Sequence, residues 1–292
     1  MPSYSAWISA TRPKTLAASV APVAMGSAIA AGEGAFAWGS AAACLSGALG
    51  VQVACNFAND CFDAKQGADT EARVGPKRAV ASGEITPKAM LVGAWFVLLL
   101  VVAPSAAYLA MRAGWRYLVL AVAATLLAFA YTWGRHSIAY LGLGELFVLL
   151  FFGSVAVGAT YTAQTLHWSW VPVIVGIGPG LLACAILTVN NLRDIEADRA
   201  AGKRTLAVRF GPRFARAEYV VCVVGAGLLV MGLAVWHRHL AIAAAVFALF
   251  TLVGPMRRVM AGESGPSLNG ILAQTGIALL LYGALFCVGW IR

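Results

Sequence analysis

Eight of the chain's twelve acidic residues fall in or near two short stretches. NFANDCFDAKQGADTE carries Asp60, Asp63, Asp69 and Glu71, with Glu84 a little further on, and NNLRDIEADRAAGKRT carries Asp194, Glu196 and Asp198. Clustered carboxylate and amide oxygens suit a hard divalent cation, Mg2+ above all. Mg2+ keeps part of its water shell and is commonly bridged to substrate phosphates. Basic residues interleave with the acids: Arg73, Lys77 and Arg78 after the first cluster, and Arg193, Arg199, Lys203, Arg204 and Arg209 in and after the second. Arginine forks and the lysine point charge bind phosphate oxygens. A surface patch for anionic lipid would use the bases alone, and it gains nothing from carboxylates. The combined pattern calls for a metal held against a phosphorylated, most simply diphosphate, substrate.

The elements that must position these groups are membrane helices. The 292 residues are 61% hydrophobic and 11% charged, with a mean hydropathy of +0.80. A soluble domain carries about 25% charged residues. Windows of about 20 apolar residues mark spans, and nine are expected: 15–31, 36–58, 89–111, 116–134, 138–162, 168–191, 217–236, 239–256 and 268–290. The chain reads as one all-α integral-membrane domain over 1–292, and MPSYSAWISATRPKTL as an amphipathic lead-in without a cleavable signal. Of the 21 Lys and Arg, 17 fall at the N-terminus and in the even-numbered loops, which are therefore expected to be cytoplasmic.

At about 100° per residue, Gln52, Asn56, Asn59, Asp60 and Asp63 share an arc of about 100°. Asn190, Asn191, Asp194 and Asp198 share another. Both polar stripes end on the same side of the membrane. Acids in a spanning helix are costly and mark function by default. The two loops also resemble each other, as a weak internal repeat would.

Several other classes fit less well. The net charge of +9 sits in short membrane-flanking loops, which argues against a nucleic-acid partner. Cys44, Cys55, Cys61, Cys184, Cys222 and Cys287 include no C-x-x-C pair and have no histidine cluster beside them, so they read as small packing residues. GKRT at Gly202 lacks the spacing of a phosphate-binding loop. GIGPG at Gly176 reads as a close helix-packing site. A secondary transporter of an anionic solute would need polar groups on both sides of the midplane, and the far half is nearly free of charge.

The two acidic motifs resemble the signatures of the UbiA superfamily of membrane prenyltransferases. Asn59, Asp60, Asp63 and Asp69 match its N-D-x-x-D-x(3–5)-D pattern, and Asp194 and Asp198 match its D-x-x-x-D pattern. The resemblance spans nearly the whole chain. RPKTL at Arg12, GADTEARVGPKRAVASGEIT, GLGELFVLLFFG, NNLRDIEADRAAGKRTLAVRFG and SLNGILAQTG point to the branch that prenylates 1,4-dihydroxy-2-naphthoate. It implies a nine-helix bundle around a central cavity capped by loops 2–3 and 6–7, in a bacterial cytoplasmic membrane. It also implies a polyprenyl diphosphate donor, an aromatic acceptor and Mg2+ on Asp60, Asp63, Asp69, Asp194 and Asp198. Asn56, Asn59, Arg73, Lys77, Arg78, Asn190, Arg193, Lys203 and Arg204 are the expected diphosphate partners, and Arg12, Lys14 and Tyr131 the expected acceptor contacts. Another acceptor, such as 4-hydroxybenzoate, homogentisate or a lipid alcohol, would leave the acidic motifs unchanged. YTWGR replaces the Gly-Gly-Pro that this family often has after Tyr-Thr.

Overall fold

The computed structural model describes residues 3–65, 75, 78–134 and 137–292. Three expected site residues, Asp69, Arg73 and Lys77, lie outside the described residues. Among those described, every regular element is a helix. Helix α1, Tyr4–Ala10, begins on an N-cap from Ser3. The Tyr4–Thr15 lead-in meets α2, Ala17–Gly32, at 54°. Helix α3, Trp38–Lys65, continues past the expected end at 58, so that Asn59, Asp60 and Asp63 are helical residues. Helix α4, Pro87–Ala113, starts where Thr86 accepts the Ala89 N–H. Helix α5 is Arg116–Ala130 and α6 is Gly144–Thr165. The expected start of that span at 138 is instead a run of turns, pinned by a bond from the Arg204 N–H to the Tyr140 carbonyl.

Helix α7, Trp170–Arg193, ends at a break on Asp194 before the short α8, Ile195–Ala200. The second acidic stripe is therefore carried by two helices, where a single continuous helix was expected. Helix α9, Leu206–Trp236, starts earlier than the expected 217 because Thr205 caps it, and it kinks at Gly211, where φ is +83°. Glycine is the residue that adopts that conformation at low cost. Helices α10, Leu240–Phe250, and α11, Val253–Met260, meet at 48°, and α12, Leu268–Ile291, closes the bundle.

Among the described residues six helices are long and apolar enough to span, or eight if each bent pair counts as one. The remaining expected span, α5, has 15 residues, about 22 Å of helix against an apolar core of about 30 Å. Outward-facing Leu99, Leu126, Leu228 and Phe247 are each more than 60% exposed, as lipid-facing side chains must be. Helix α7 is the most enclosed, with 67% of its apolar window buried. It meets α6 at bare backbone: a Cβ on Gly153 would lie 2.5 Å from the Gly176 carbonyl oxygen and 2.9 Å from Gly180 Cα. GIGPG is thus a close-packing site, as read from the sequence.

Candidate active site

A cavity of about 400 Å³ runs down the bundle. Helix α3 lines it with every fourth residue: Ala43, Gly47, Val51, Cys55, Asn59 and Asp63. Twenty residues of helix correspond to about 30 Å, so the cavity runs nearly the depth of the apolar core. Its wall is small and apolar at one end and polar at the other. At the apolar end the Tyr117 hydroxyl donates to the Ala159 carbonyl at 2.7 Å.

The two acidic motifs meet at the polar end. Lys203 stands between them, with Nζ 3.1 Å from Asp63 Oδ1 and 3.7 Å from Asp198 Oδ1. The nearer approach lies off a hydrogen-bonding direction, which leaves that buried Asp63 oxygen without a directed donor. Arg78 Nη2 reaches the other Asp63 oxygen at 3.4 Å. Facing carboxylates repel at this range, and Lys203 relieves that repulsion. Its ammonium also sits 5.5 Å from the centre of the Tyr140 ring.

Asp194 is held differently. Arg193 donates to both its oxygens at 2.8 and 2.6 Å, to Asn190 at 2.7 Å, and to Asn269 of α12 at 2.8 Å. Arg193 is buried away from the cavity, while Asn190 and Asp194 line it. The arginine expected to grip diphosphate thus orients two groups that face the ligand space. Asp60 is also off the cavity. Its oxygens accept the backbone N–H groups of Ala79 and Val80 at 3.2 and 3.3 Å, which fixes the segment beginning at Arg78. It stands at the edge of the α3 arc, so it points at that segment and not inward.

The amides of α3 also grip the lead-in. Asn56 donates to the Thr11 carbonyl at 2.9 Å, and Gln52 donates to the Thr15 carbonyl at 2.8 Å while pairing with Ser19. Between those clamps Arg12 adopts φ +53° and ψ +65°. A left-handed residue other than glycine costs about 1–2 kcal/mol, and the two clamps hold it there. The result puts Arg12 on the cavity wall with a buried Nη2 that has no hydrogen-bond partner. Asn59 accepts from the Thr132 hydroxyl at 2.5 Å, and Tyr131 lines the wall beside it. Lys14 and Arg204 are exposed and do not line the cavity.

The model of the UbiA prenyltransferase family matches residues 19–268. The chain belongs to the UbiA prenyltransferase family. It is 38% identical to the 1,4-dihydroxy-2-naphthoate octaprenyltransferase of Mycobacterium tuberculosis, over 97% of this chain and 95% of that one. An apo structure of a UbiA homolog from Aeropyrum pernix K1 has the same fold, with a TM-score of 0.71 at 17% identity, covering 92% of this chain and 97% of that one. A UbiA homolog from Archaeoglobus fulgidus bound to DMAPP and Mg2+ aligns with a TM-score of 0.58 at 19% identity over 98% of both chains. The protein is thus a membrane-embedded prenyltransferase of several spans.

The donor set of this UbiA protein fits a shared metal better than a closed cage. Among the described residues no three His, Cys, Asp or Glu side chains gather closely enough to enclose an ion. Asp63 approaches from one side of the cavity mouth, and Asp194 and Asp198 from the other. Mg2+ is usually bound by one or two carboxylates and completed by water and substrate phosphate, which is what two opposed acidic walls provide.

The sequence reading gave no role to Glu145, Thr132 or Asn269, and it placed Asn191 in the second polar stripe without a partner. Glu145 faces the cavity and takes a 2.9 Å bond from Asn191. Its signal was present: an acid inside the otherwise apolar GLGELFVLLFFG is functional by default. Asn269 lies in SLNGILAQTG, but nothing in that stretch announces a partner on α7.

Proposed function

We propose that this protein transfers a polyprenyl group from its diphosphate to 1,4-dihydroxy-2-naphthoate, with Mg2+ and with loss of the ring carboxylate as CO2, to give the hydroquinone form of the demethylmenaquinone of menaquinone synthesis. The observation that carries the reading is the meeting of Asp63 with Asp198, through Lys203, at the mouth of a long apolar cavity. A diphosphate at the mouth places its apolar chain down the shaft. Asp63, Asp194 and Asp198 would hold Mg2+ there. When bound, Mg2+ neutralises charge on the departing diphosphate oxygens. Lys203 and Arg78 face the same oxygens and add stabilisation as the carbon–oxygen bond breaks. The apolar walls keep water from the allylic cation, with Tyr131 and Phe151 as aromatic faces toward it. The unpartnered Nη2 of Arg12 receives the acceptor carboxylate.

The acceptor choice is supported by the family-specific stretches and by the relative from Mycobacterium tuberculosis. Purified protein should consume 1,4-dihydroxy-2-naphthoate with a long polyprenyl diphosphate and release CO2 and diphosphate in equal amounts. It should leave 4-hydroxybenzoate and homogentisate nearly untouched, since a pocket shaped for a fused two-ring acid gains too little from one ring. Efficient turnover of 4-hydroxybenzoate, or prenylation without CO2, would move the protein to another acceptor. Arg12→Ala should raise KM for the naphthoate about tenfold or more, the size of a lost charged hydrogen bond, with little change for the diphosphate. An equal rise in both would remove Arg12 from the acceptor site.

The active-site mouth faces the cytoplasm in this reading, and the membrane is the bacterial inner membrane. In a variant without native cysteines, Ala200→Cys should react with an impermeant thiol reagent only after the cytoplasmic side is opened. Arg116→Cys should react from outside. The reverse pattern would invert the topology and separate the site from cytosolic substrates.

A further inference from the structure

Attack on an allylic cation requires the acceptor ring to lose a hydroxyl proton, and the residues discussed so far leave that proton without a destination. Four carboxylates line the cavity among the described residues: Asp63, Glu145, Asp194 and Asp198. Three of them are committed to cations, Asp63 to Arg78 and Lys203, Asp194 to Arg193, and Asp198 to Lys203. Each of these three already turns an oxygen to a cation, which competes with an acceptor hydroxyl for the same lone pairs. Glu145 is different. Among the described residues no Lys, Arg or His lies within ion-pair distance of it, and its one side-chain partner is the neutral amide of Asn191 at 2.9 Å. The amide orients the carboxylate without supplying a positive charge.

Its position also differs from that of the other three. Asn191 stands one turn of α7 deeper than Asp194, about 4.5 Å along the axis. Glu145 is thus offset from the diphosphate mouth toward the space where the allylic carbon and the ring must meet. It sits in the first turn of α6, beside Gly144, where a Cβ would come within 3.0 Å of the Tyr131 hydroxyl. Tyr131 and Glu145 therefore share one wall. The Cys184 thiol donates to the Glu145 backbone carbonyl at 3.1 Å, fixing the turn that carries the carboxylate. The other titratable groups around this site are Tyr131 at the end of α5, Cys184 on α7, and Cys222 and Glu218 on α9, with Arg12 of the lead-in acting on Tyr131 across the cavity. Arg12 is the cation among them, and among the described residues it makes no ion pair with Glu145.

We propose that Glu145, oriented by Asn191, is the general base that takes the hydroxyl proton of the aromatic acceptor. The inference rests on the acceptor reading above. The O–H bond breaks and the proton passes to the Glu145 carboxylate, while the oxygen electron pair feeds the ring. The adjacent ring carbon, which bears the carboxylate, bonds to the allylic carbon, and the carbon–oxygen bond to diphosphate breaks with its pair leaving on diphosphate. That ring carbon now carries both prenyl and carboxylate next to a ketone. Loss of CO2 returns an electron pair to the ring as an enolate, which takes the proton back from Glu145. The base is regenerated, and the products are the prenylated hydroquinone, CO2 and diphosphate.

The test uses the purified full-length protein with Mg2+, a polyprenyl diphosphate and 1,4-dihydroxy-2-naphthoate across a pH range. Glu145→Gln keeps an oxygen for Asn191 and should lower kcat about 10²-fold or more, the usual scale for a general base, with KM for the prenyl diphosphate changed less than about threefold. The rising limb of log kcat at low pH should disappear in this variant. An acceptor analogue whose hydroxyl is already ionised at the assay pH should recover most of the lost rate. Glu145→Asp should keep the limb at reduced kcat, which answers the question even if the glutamine variant fails to fold. A glutamine variant with wild-type kcat and the same limb would overturn the proposal. So would an equal loss with the pre-ionised analogue, or an aspartate variant without the limb. Wild-type protein inactive on the naphthoate would instead overturn the acceptor reading, and this inference with it.

Discussion

Asp63→Asn should abolish prenyl transfer, with kcat falling by about 10³-fold or more, the scale on which charge-stabilising groups act. The substitution keeps the shape of a residue that lines the cavity mouth and removes the charge that faces Lys203 and Arg78. Asp194→Asn should be equally inactive, with a second effect. Arg193 and Asp194 form a buried pair whose side chains are 3% and 8% exposed, and breaking such a pair costs about 3–5 kcal/mol because a cation is left buried. Asp194→Asn should therefore also lower Tm in detergent, whereas Asp63→Asn should purify normally, because Arg78 and Lys203 adjoin the open cavity. EDTA should reproduce the loss of activity, and added Mg2+ should restore the wild type. Full activity in either variant, or persistent turnover in excess EDTA, rules out the metal–diphosphate role.

Gly180→Val should damage the fold strongly. A Cβ at Gly180 meets the Leu149 carbonyl at 2.6 Å and Gly153 Cα at 3.1 Å, and one at Gly176 meets Ser154 Cα at 2.6 Å. These neighbours are mostly backbone, which cannot rotate aside, so α6 and α7 must separate. Overpacking costs about 1–3 kcal/mol in ordinary cores, and the upper end corresponds to a fall of about 10 °C in Tm. Because α6 carries Glu145 and α7 carries Asn190 and Asn191, activity should fall even in the fraction that remains folded. Gly232→Ala is the control, since a Cβ there meets nothing within 4 Å, and its Tm should stay at the wild-type value. Equal stability of the two variants would show that this seam tolerates separation.

The sequence by itself determined that the chain is a bundle of membrane helices with two acidic motifs at one end. Hydropathy sets spans because a backbone in lipid must satisfy its own hydrogen bonds. Helical periodicity put Gln52, Asn56, Asn59 and Asp63 on one face because 3.6 residues make a turn. Periodicity says which residues share a face, but not what stands opposite. Asp60 fell in the same arc and serves the backbone of Ala79 and Val80. Lys203 and Arg204 are neighbours in sequence, yet one bridges Asp63 to Asp198 and the other is exposed. Asn56, an expected diphosphate ligand, lines the cavity, and its amide N–H also holds the carbonyl of Thr11, 45 residues away. Only the tertiary structure decided these roles, because a bond to a backbone carbonyl depends on how two helices are docked and leaves no mark on residue type. The same holds for Glu145, whose acid in an apolar span was visible as an anomaly. That its partner is an amide while the other cavity carboxylates face cations follows from the packing of α6 on α7, which no local pattern encodes.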